Sequence, residues 1–276
     1  MKQNDLVRVD INGPIATVVL NRPEKLNALN KQMWSMVGDA FNGLNEMDNI
    51  RCIVFRGAGD KAVGPGADIK EFETERYNSK KASEYGEMMH KAVLAIASCK
   101  HPIVARIRGL CIGGALELAA VCDLRIASSD SRFGIPVSRL GLVMSLFEMA
   151  GLIELGGKST ALEILFEGRV FGSEEAMNKG LLTKVVGPEK LDEEVRKVVE
   201  NICAGAPLVN RWHKKFANRI LEGLNQGKAL TEQELREGFD CFDTEDFKEG
   251  YKAFIEKREP SFSGNYEKLI VKIFRI

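Results

Sequence analysis

Along the first 60 residues the apolar positions change their period twice. Ile15 to Leu20 (IATVVL) is rich in β-branched residues and is closed by Asn21-Arg22-Pro23, which predicts a strand. From Ala28 onward Leu29, Met33, Val37, Ala40, Phe41 and Leu44 recur at steps of three and four, so they share one face of a helix. Cys52 to Phe55 (CIVF) is short and wholly apolar, a buried strand that ends in Arg56-Gly57-Ala58-Gly59-Asp60. The stretch from Glu71 to Lys81 is charged and weakly periodic and predicts a mobile, solvated segment, after which Glu84 to Ser98 is helical again. Pro102 to Ile107 reads as a strand, Gly113 to Ala120 as a helix, and Leu124 to Ala127 as a strand.

Strands separated by helices predict an α/β core over residues 1–200. From Pro207 the pattern turns helical, with helices expected at Leu208 to Leu224, Thr231 to Phe239 and Glu245 to Lys257. A C-terminal helical region, 201–264, therefore follows the core, and 265–276 is a basic-apolar tail to which the pattern assigns no role. No repeat, low-complexity tract or Pro/Ser-rich linker interrupts the chain, which favours a compact body over tethered modules.

With 276 residues, 45% of them hydrophobic, the chain can bury about three quarters of its unfolded surface without disulfides or metal. Lys+Arg 39 cancel Asp+Glu 39, so there is no electrostatic footprint for nucleic acid. Apolar runs such as Ile15 to Leu20 fall far short of the ~20 residues a membrane span requires, and MKQNDLVRVD lacks the apolar core of a signal peptide. A cytoplasmic protein with neither nucleic acid nor membrane as partner is expected. Six cysteines without any CxxC, mostly in apolar stretches, read as reduced thiols used as small core residues. His90, His101 and His213 have no partner at metal-ligand spacing, and no metal site is expected.

Two familiar signatures fail by register. GPGADI places Ile69 where the dinucleotide fingerprint needs its third glycine, and Gly156-Gly157-Lys158-Ser159 has Leu152 where a P-loop begins, so the latter reads as a turn between helices. Two glycine-rich segments remain, each after a strand-like run. In KAVGPGADIKEF (Lys61 to Phe72) the glycines at 64 and 66 allow a sharp turn that presents N–H groups, a surface turn being the alternative. In RGLCIGGALELAAVCDLRIA (Arg108 to Ala127) paired glycines open an apolar helix that carries one acid, Glu117. Among Leu116, Leu118, Ala119 and Ala120 a lone carboxylate costs several kcal/mol or takes up a proton. It is therefore solvated, paired with Arg125 or Arg106, or functional. Gly114 and Glu117, three residues apart, share a helix face, and the N–H of Gly114 is a free first-turn donor suited to a developing oxyanion. An apolar wall would raise the acid's pKa toward neutrality, where it both takes and gives a proton.

Found together and in order, LNRPEKLNAL (Leu20 to Leu29), GPGADIKEF, RGLCIGGALELAAVCDLRIA, GRVFGSEEAMNKGLLTKVV (Gly168 to Val186) and FKEGYKAFIEKREPSF (Phe247 to Phe262) resemble the crotonase (enoyl-CoA hydratase/isomerase) superfamily, from Val7 to about Phe262. The resemblance implies a crotonase-like spiral core of repeated strand-strand-helix units with a C-terminal helical trimerisation region, assembled as a homotrimer or homohexamer. It implies an acyl-CoA substrate and no permanently bound cofactor, coenzyme A arriving as part of the thioester. The backbone N–H groups of Ala67 and Gly114 would hold the thioester oxygen. Lys25, Leu26 and Ala28 would line the coenzyme A channel, and Gly64, Asp68, Ile69 and Lys70 would surround its adenine or phosphates, with Pro65 standing where the family has a small residue. Gly66, Leu110, Gly113, Pro136, Val137, Leu140 and Gly141 complete the implied substrate-binding set.

Glu117 matches the first catalytic glutamate of the hydratases. Their second follows a proline after a Phe-Gly segment, but here Phe133-Gly134-Ile135-Pro136 is followed by Val137. Glu148 is the only nearby carboxylate, read either as catalytic or as an exposed acid in a first helical turn. Hydration uses one acid to activate water and another to deliver the α-proton. The resemblance thus implies an enoyl-CoA hydratase or hydratase-like lyase, with an isomerase, decarboxylase, thioesterase or weakly catalytic CoA-binding subunit as alternatives.

Overall fold

In the computed structural model, which describes residues 6–221, 223 and 230–264, the strand signals form two sheets. The larger runs from edge to edge as Val7–Asn12 (β1), Ile15–Leu20 (β2), Cys52–Gly57 (β3), Ile103–Ile107 (β5), Leu124–Ser128 (β7) and Lys184–Val186 (β10). Only β1 and β2 pair antiparallel, and every later pair is parallel. Strands covered on both faces need apolar residues throughout, which is why β3 and β5 read as unbroken runs rather than alternations. The smaller sheet comprises Ala62–Gly64 (β4), Leu110–Ile112 (β6), Arg132–Gly134 (β8) and Phe171–Gly172 (β9).

The strands β4, β6 and β8 each follow a strand of the larger sheet and lead toward a helix, respectively Ser79–Ala97 (α3), Gly114–Ala120 (α4) and Leu146–Glu167 (α5). The expected strand-strand-helix unit is thereby repeated three times. Because β4, β6 and β8 are parallel neighbours, the segments leaving their C-terminal ends emerge side by side on one edge, the usual place for a ligand in parallel sheets. Phe72–Glu75 (α2) lies on the path from β4 to α3.

Helix α1 (Lys31–Asn45) begins later than Ala28, because the Asn30 side chain caps it by accepting from the Met33 N–H at 2.9 Å. Leu29 instead joins a bridge: its N–H donates to Gly66 O at 2.9 Å and its carbonyl accepts from Asp68 N–H at 2.7 Å. Helix α3 begins earlier than Glu84, capped by Asn78, since its polar first turns hide the period. The reading of Glu71 to Lys81 as mobile and solvated is corrected at its start, while Glu73, Thr74 and residues 77–80 are exposed. The Glu71 carboxylate accepts from the Lys31 N–H at 2.8 Å and the Tyr85 hydroxyl at 3.2 Å, which ties this stretch to α1 and α3. Gly157, at φ +75, breaks α5 where a turn between helices was expected.

The chain divides into two compact units, one of residues 1–99 and 103–199 and the other of 100–102 and 200–276. The second contains Pro207–Leu221 (α6), Glu232–Glu237 (α7) and Glu245–Glu256 (α8); Thr231 and Thr244 cap α7 and α8. The end of the helix expected to reach Leu224, and the tail 265–276, lie outside the described residues. Cys52, Cys99, Cys111 and Cys122 are buried and Cys203 and Cys241 half-buried, none of them in a disulfide. Among the described residues no helix is long and apolar enough to cross a membrane, and no group of acids, histidines and cysteines could hold a metal ion.

Candidate active site

The segments that leave β4, β6 and β8, with the start of α5, line a cavity of about 410 Å³. Pro65, Gly66, Ala67 and Ile69 come from the first, Gly113, Gly114 and Glu117 from the second, Pro136, Val137, Leu140 and Gly141 from the third, and Glu148 from α5. Gly66 (φ +107) and Gly113 (φ +53) hold conformations that residues with side chains rarely adopt. Here the two loops pass at van der Waals contact, since a Cβ on Gly113 would lie 3.5 Å from the α-carbon of Gly66. The next N–H groups, those of Ala67 and Gly114, have no acceptor among the described residues. Gly114 tolerates no side chain, because a Cβ there would meet the Trp34 ring at 2.7 Å.

All of α4 is buried, and Glu117 is only 6% exposed, with its Oε2 lacking a hydrogen-bond partner among the described residues. Neither expected salt bridge forms. Arg125 donates instead to the carbonyls of Leu181 (2.9 Å), Ala120 (3.3 Å) and Cys122, while Arg106 pairs with Asp60 (3.1 Å) and Asp192. Burial, and secondarily the charge of Glu148, pushes the Glu117 carboxyl up to about 8 against the opposing Arg76. At neutral pH it is mainly protonated.

Glu148 is not the exposed first-turn acid that was one expectation. It is 5% exposed, and its Oε2 accepts from the Ser145 N–H at 3.1 Å and from the Ser145 hydroxyl, closing the N-terminus of α5. Burial raises its pKa, whereas the hydrogen bonds from Ser145 and the charges of His90 and Arg76 oppose the rise. Two carboxylates of different character therefore share the cavity, one without a partner and the other with its anion supported by two donors.

Lys25, Leu26, Ala28, Gly64, Asp68, Lys70 and Leu110 do not line this cavity. Three of them make contacts within the chain. Gly64 is buried, and a Cβ there would lie 3.0 Å from that of Ala115 and 3.2 Å from the carbonyl oxygen of Asn27. Asp68 accepts from Arg22 at 2.7 Å and caps Lys70, which holds its carboxyl below the usual range, and Leu110 pairs within the small sheet. Lys25 and Lys70 are exposed, Leu26 is left-handed, and Ala28 is buried. The sequence reading missed Trp34, Phe72, Arg76, Met144 and Ser145. Phe72 and Arg76 fall in the stretch taken as solvated, where the aromatics Phe72 and Tyr77 among charges were the available signal.

The sequence matches the enoyl-CoA hydratase/isomerase family over residues 10–265. The chain belongs to that family. It is similar to the crotonyl-CoA hydratase of Syntrophomonas wolfei, 34% identical over 248 residues that cover 90% of this chain and 94% of the relative. It is also similar to the short-chain-enoyl-CoA hydratase of Clostridium acetobutylicum, 31% identical over 264 residues, 94% of this chain and 97% of the relative. Among solved structures, an enoyl-CoA hydratase/carnithine racemase from Magnetospirillum magneticum superposes with a TM-score of 0.91 at 42% identity, covering 95% of this chain and 96% of that one. The enoyl-CoA hydratase from Bacillus anthracis follows at a TM-score of 0.85 and 28% identity, 94% of this chain and 99% of that one. This family member thus has the crotonase fold that its strand-strand-helix units express.

Proposed function

We propose that this family member is an enoyl-CoA hydratase acting on 2-enoyl thioesters. The observation that carries the reading is the presence of Glu117 and Glu148 in one cavity with the two unengaged N–H groups of Ala67 and Gly114. In hydration the Glu148 carboxylate takes a proton from water as its oxygen bonds to C3. The C2=C3 electron pair shifts toward the thioester carbonyl, whose oxygen gains charge against the N–H groups of Ala67 and Gly114. The Glu117 carboxyl then gives its proton to C2, and proton exchange with solvent resets the pair. Coenzyme A enters and leaves with the substrate, with Lys25 and Lys70 available to its phosphates.

The single-acid reactions gained weight from Val137, and Glu148 weakens that case by supplying a second carboxylate to the cavity that Val137 also lines. The exposed aromatics Phe239, Phe242 and Phe254 in the C-terminal unit support the oligomeric reading, which sedimentation would check. The primary test is mass spectrometry of crotonyl-CoA after incubation with the protein. The wild type adds one water, and Glu117→Gln and Glu148→Gln each lower turnover by at least ~10²-fold. An unchanged rate in both variants would sink the assignment.

A further inference from the structure

The cavity holds a cation that the hydration steps leave unused. Arg76, just after α2, lines the cavity with Glu117 and Glu148, and its guanidinium lies over the rings of Phe72 (4.7 Å to the centroid) and Tyr85 (4.9 Å). Ring faces fix the guanidinium plane and stabilise its charge, but they accept none of the N–H donors in that plane. Among the described residues no carboxylate pairs with Arg76. Of the acids just before it, Glu71 is held by the Lys31 N–H and the Tyr85 hydroxyl, Glu75 by the Lys31 ammonium at 2.5 Å, and Glu73 is exposed. Arg22, Arg106 and Arg108, by contrast, each pair with an aspartate. The charge of Arg76 acts on Glu117 and Glu148 only through space, so the guanidinium is an anion receptor without an ion pair in the wall of the active-site cavity.

Coenzyme A brings phosphates, but its pantetheine arm separates them widely from the thioester. With the thioester carbonyl at Ala67 and Gly114, an anion that meets Arg76 in the same cavity belongs to the acyl side. We propose that the preferred substrate is an enoyl-CoA whose acyl chain carries a second, distal carboxylate, received by Arg76 between Phe72 and Tyr85. The proposal rests on the hydratase reading for the position of the thioester, and it makes Arg76 a specificity-determining residue.

Paired five-carbon thioesters test it. For binding, glutaryl-CoA is compared with pentanoyl-CoA by calorimetry; for turnover, 4-carboxybut-2-enoyl-CoA is compared with pent-2-enoyl-CoA by kcat/KM. The wild type is expected to favour the carboxylate member of each pair by roughly 10- to 100-fold, as a charge-assisted bidentate contact provides. In Arg76→Gln both ratios should fall to near one, while Arg76→Lys keeps part of the preference. A wild-type binding ratio of one or below overturns the proposal without any variant. A ratio that persists in Arg76→Gln overturns it too, including the case in which both ligands weaken equally because Arg76 serves a phosphate. If neither enoyl thioester gains water yet glutaryl-CoA binds tighter in an Arg76-dependent way, the hydratase reading fails and the carboxylate subsite stands.

Discussion

Two buried ionisable side chains, Glu117 in the middle of α4 and Arg125 in β7 just beyond it, are handled in opposite ways. Glu117 and Arg125 are each 6% exposed, and burial drives each toward its neutral form. Arg125 spends its donors on the carbonyls of Ala120, Cys122 and Leu181, which closes the C-terminal end of α4 and joins it to the segment before β10. Glu117 faces the cavity with an oxygen that no described residue satisfies. A buried charge that the fold satisfies holds structure together, and one that it leaves unsatisfied beside a cavity is available to a substrate.

The sharpest way to break this contrast is Arg125→Met, which strands three buried carbonyls. We expect a loss of about 3–5 kcal/mol in urea denaturation. Glu117→Gln should be neutral or stabilising, because it removes a desolvated acid and no hydrogen bond. Equal destabilisation by the two would erase the distinction.

The next effect is a pH dependence of stability. The native Glu117 keeps its proton up to about 8, whereas the unfolded side chain releases it near its ordinary value of 4.5. Between those values the native state binds the extra proton, so stability falls as pH rises, by up to about 1.4 kcal/mol per pH unit. Denaturation at pH 5, 7 and 9 should show this slope in the wild type and a flatter one in Glu117→Gln. Hydration should likewise decline as pH rises through about 8, where the proton donor ionises.

The smallest expected change comes from Val137→Glu, which puts a third carboxylate in the cavity. On the proposed role of Glu148 as the second acid, the hydration rate should change by less than about tenfold, and the alkaline limb should move upward by less than about one pH unit through like-charge repulsion. A larger gain would show that Glu148 is not the second acid.

The repeating core was legible because period and length report local burial: β2, the α1 face and β3 stand close to where their apolar spacing predicts them. Where polar residues form a capped first turn, as in α3, the spacing carried no such signal and the helix start was misplaced. The glycine pairs at 64–66 and 113–114, and the anomalous Glu117, were likewise visible, since each breaks a local rule of backbone freedom or burial. Glu148 was ambiguous on sequence because a first-turn acid looks the same whether it faces solvent or a cavity.

From the sequence alone came the class of fold, the family and one member of the acid pair, because propensity, periodicity and motif are properties of neighbouring residues. The meeting of Glu117 and Glu148 in one cavity, the release of Glu117 from Arg106 and Arg125, and the entry of Arg76 into the same cavity were decided only by tertiary structure. These depend on three parallel strands aligning their C-terminal ends, and distance in space across that edge leaves no trace in the spacing along the chain.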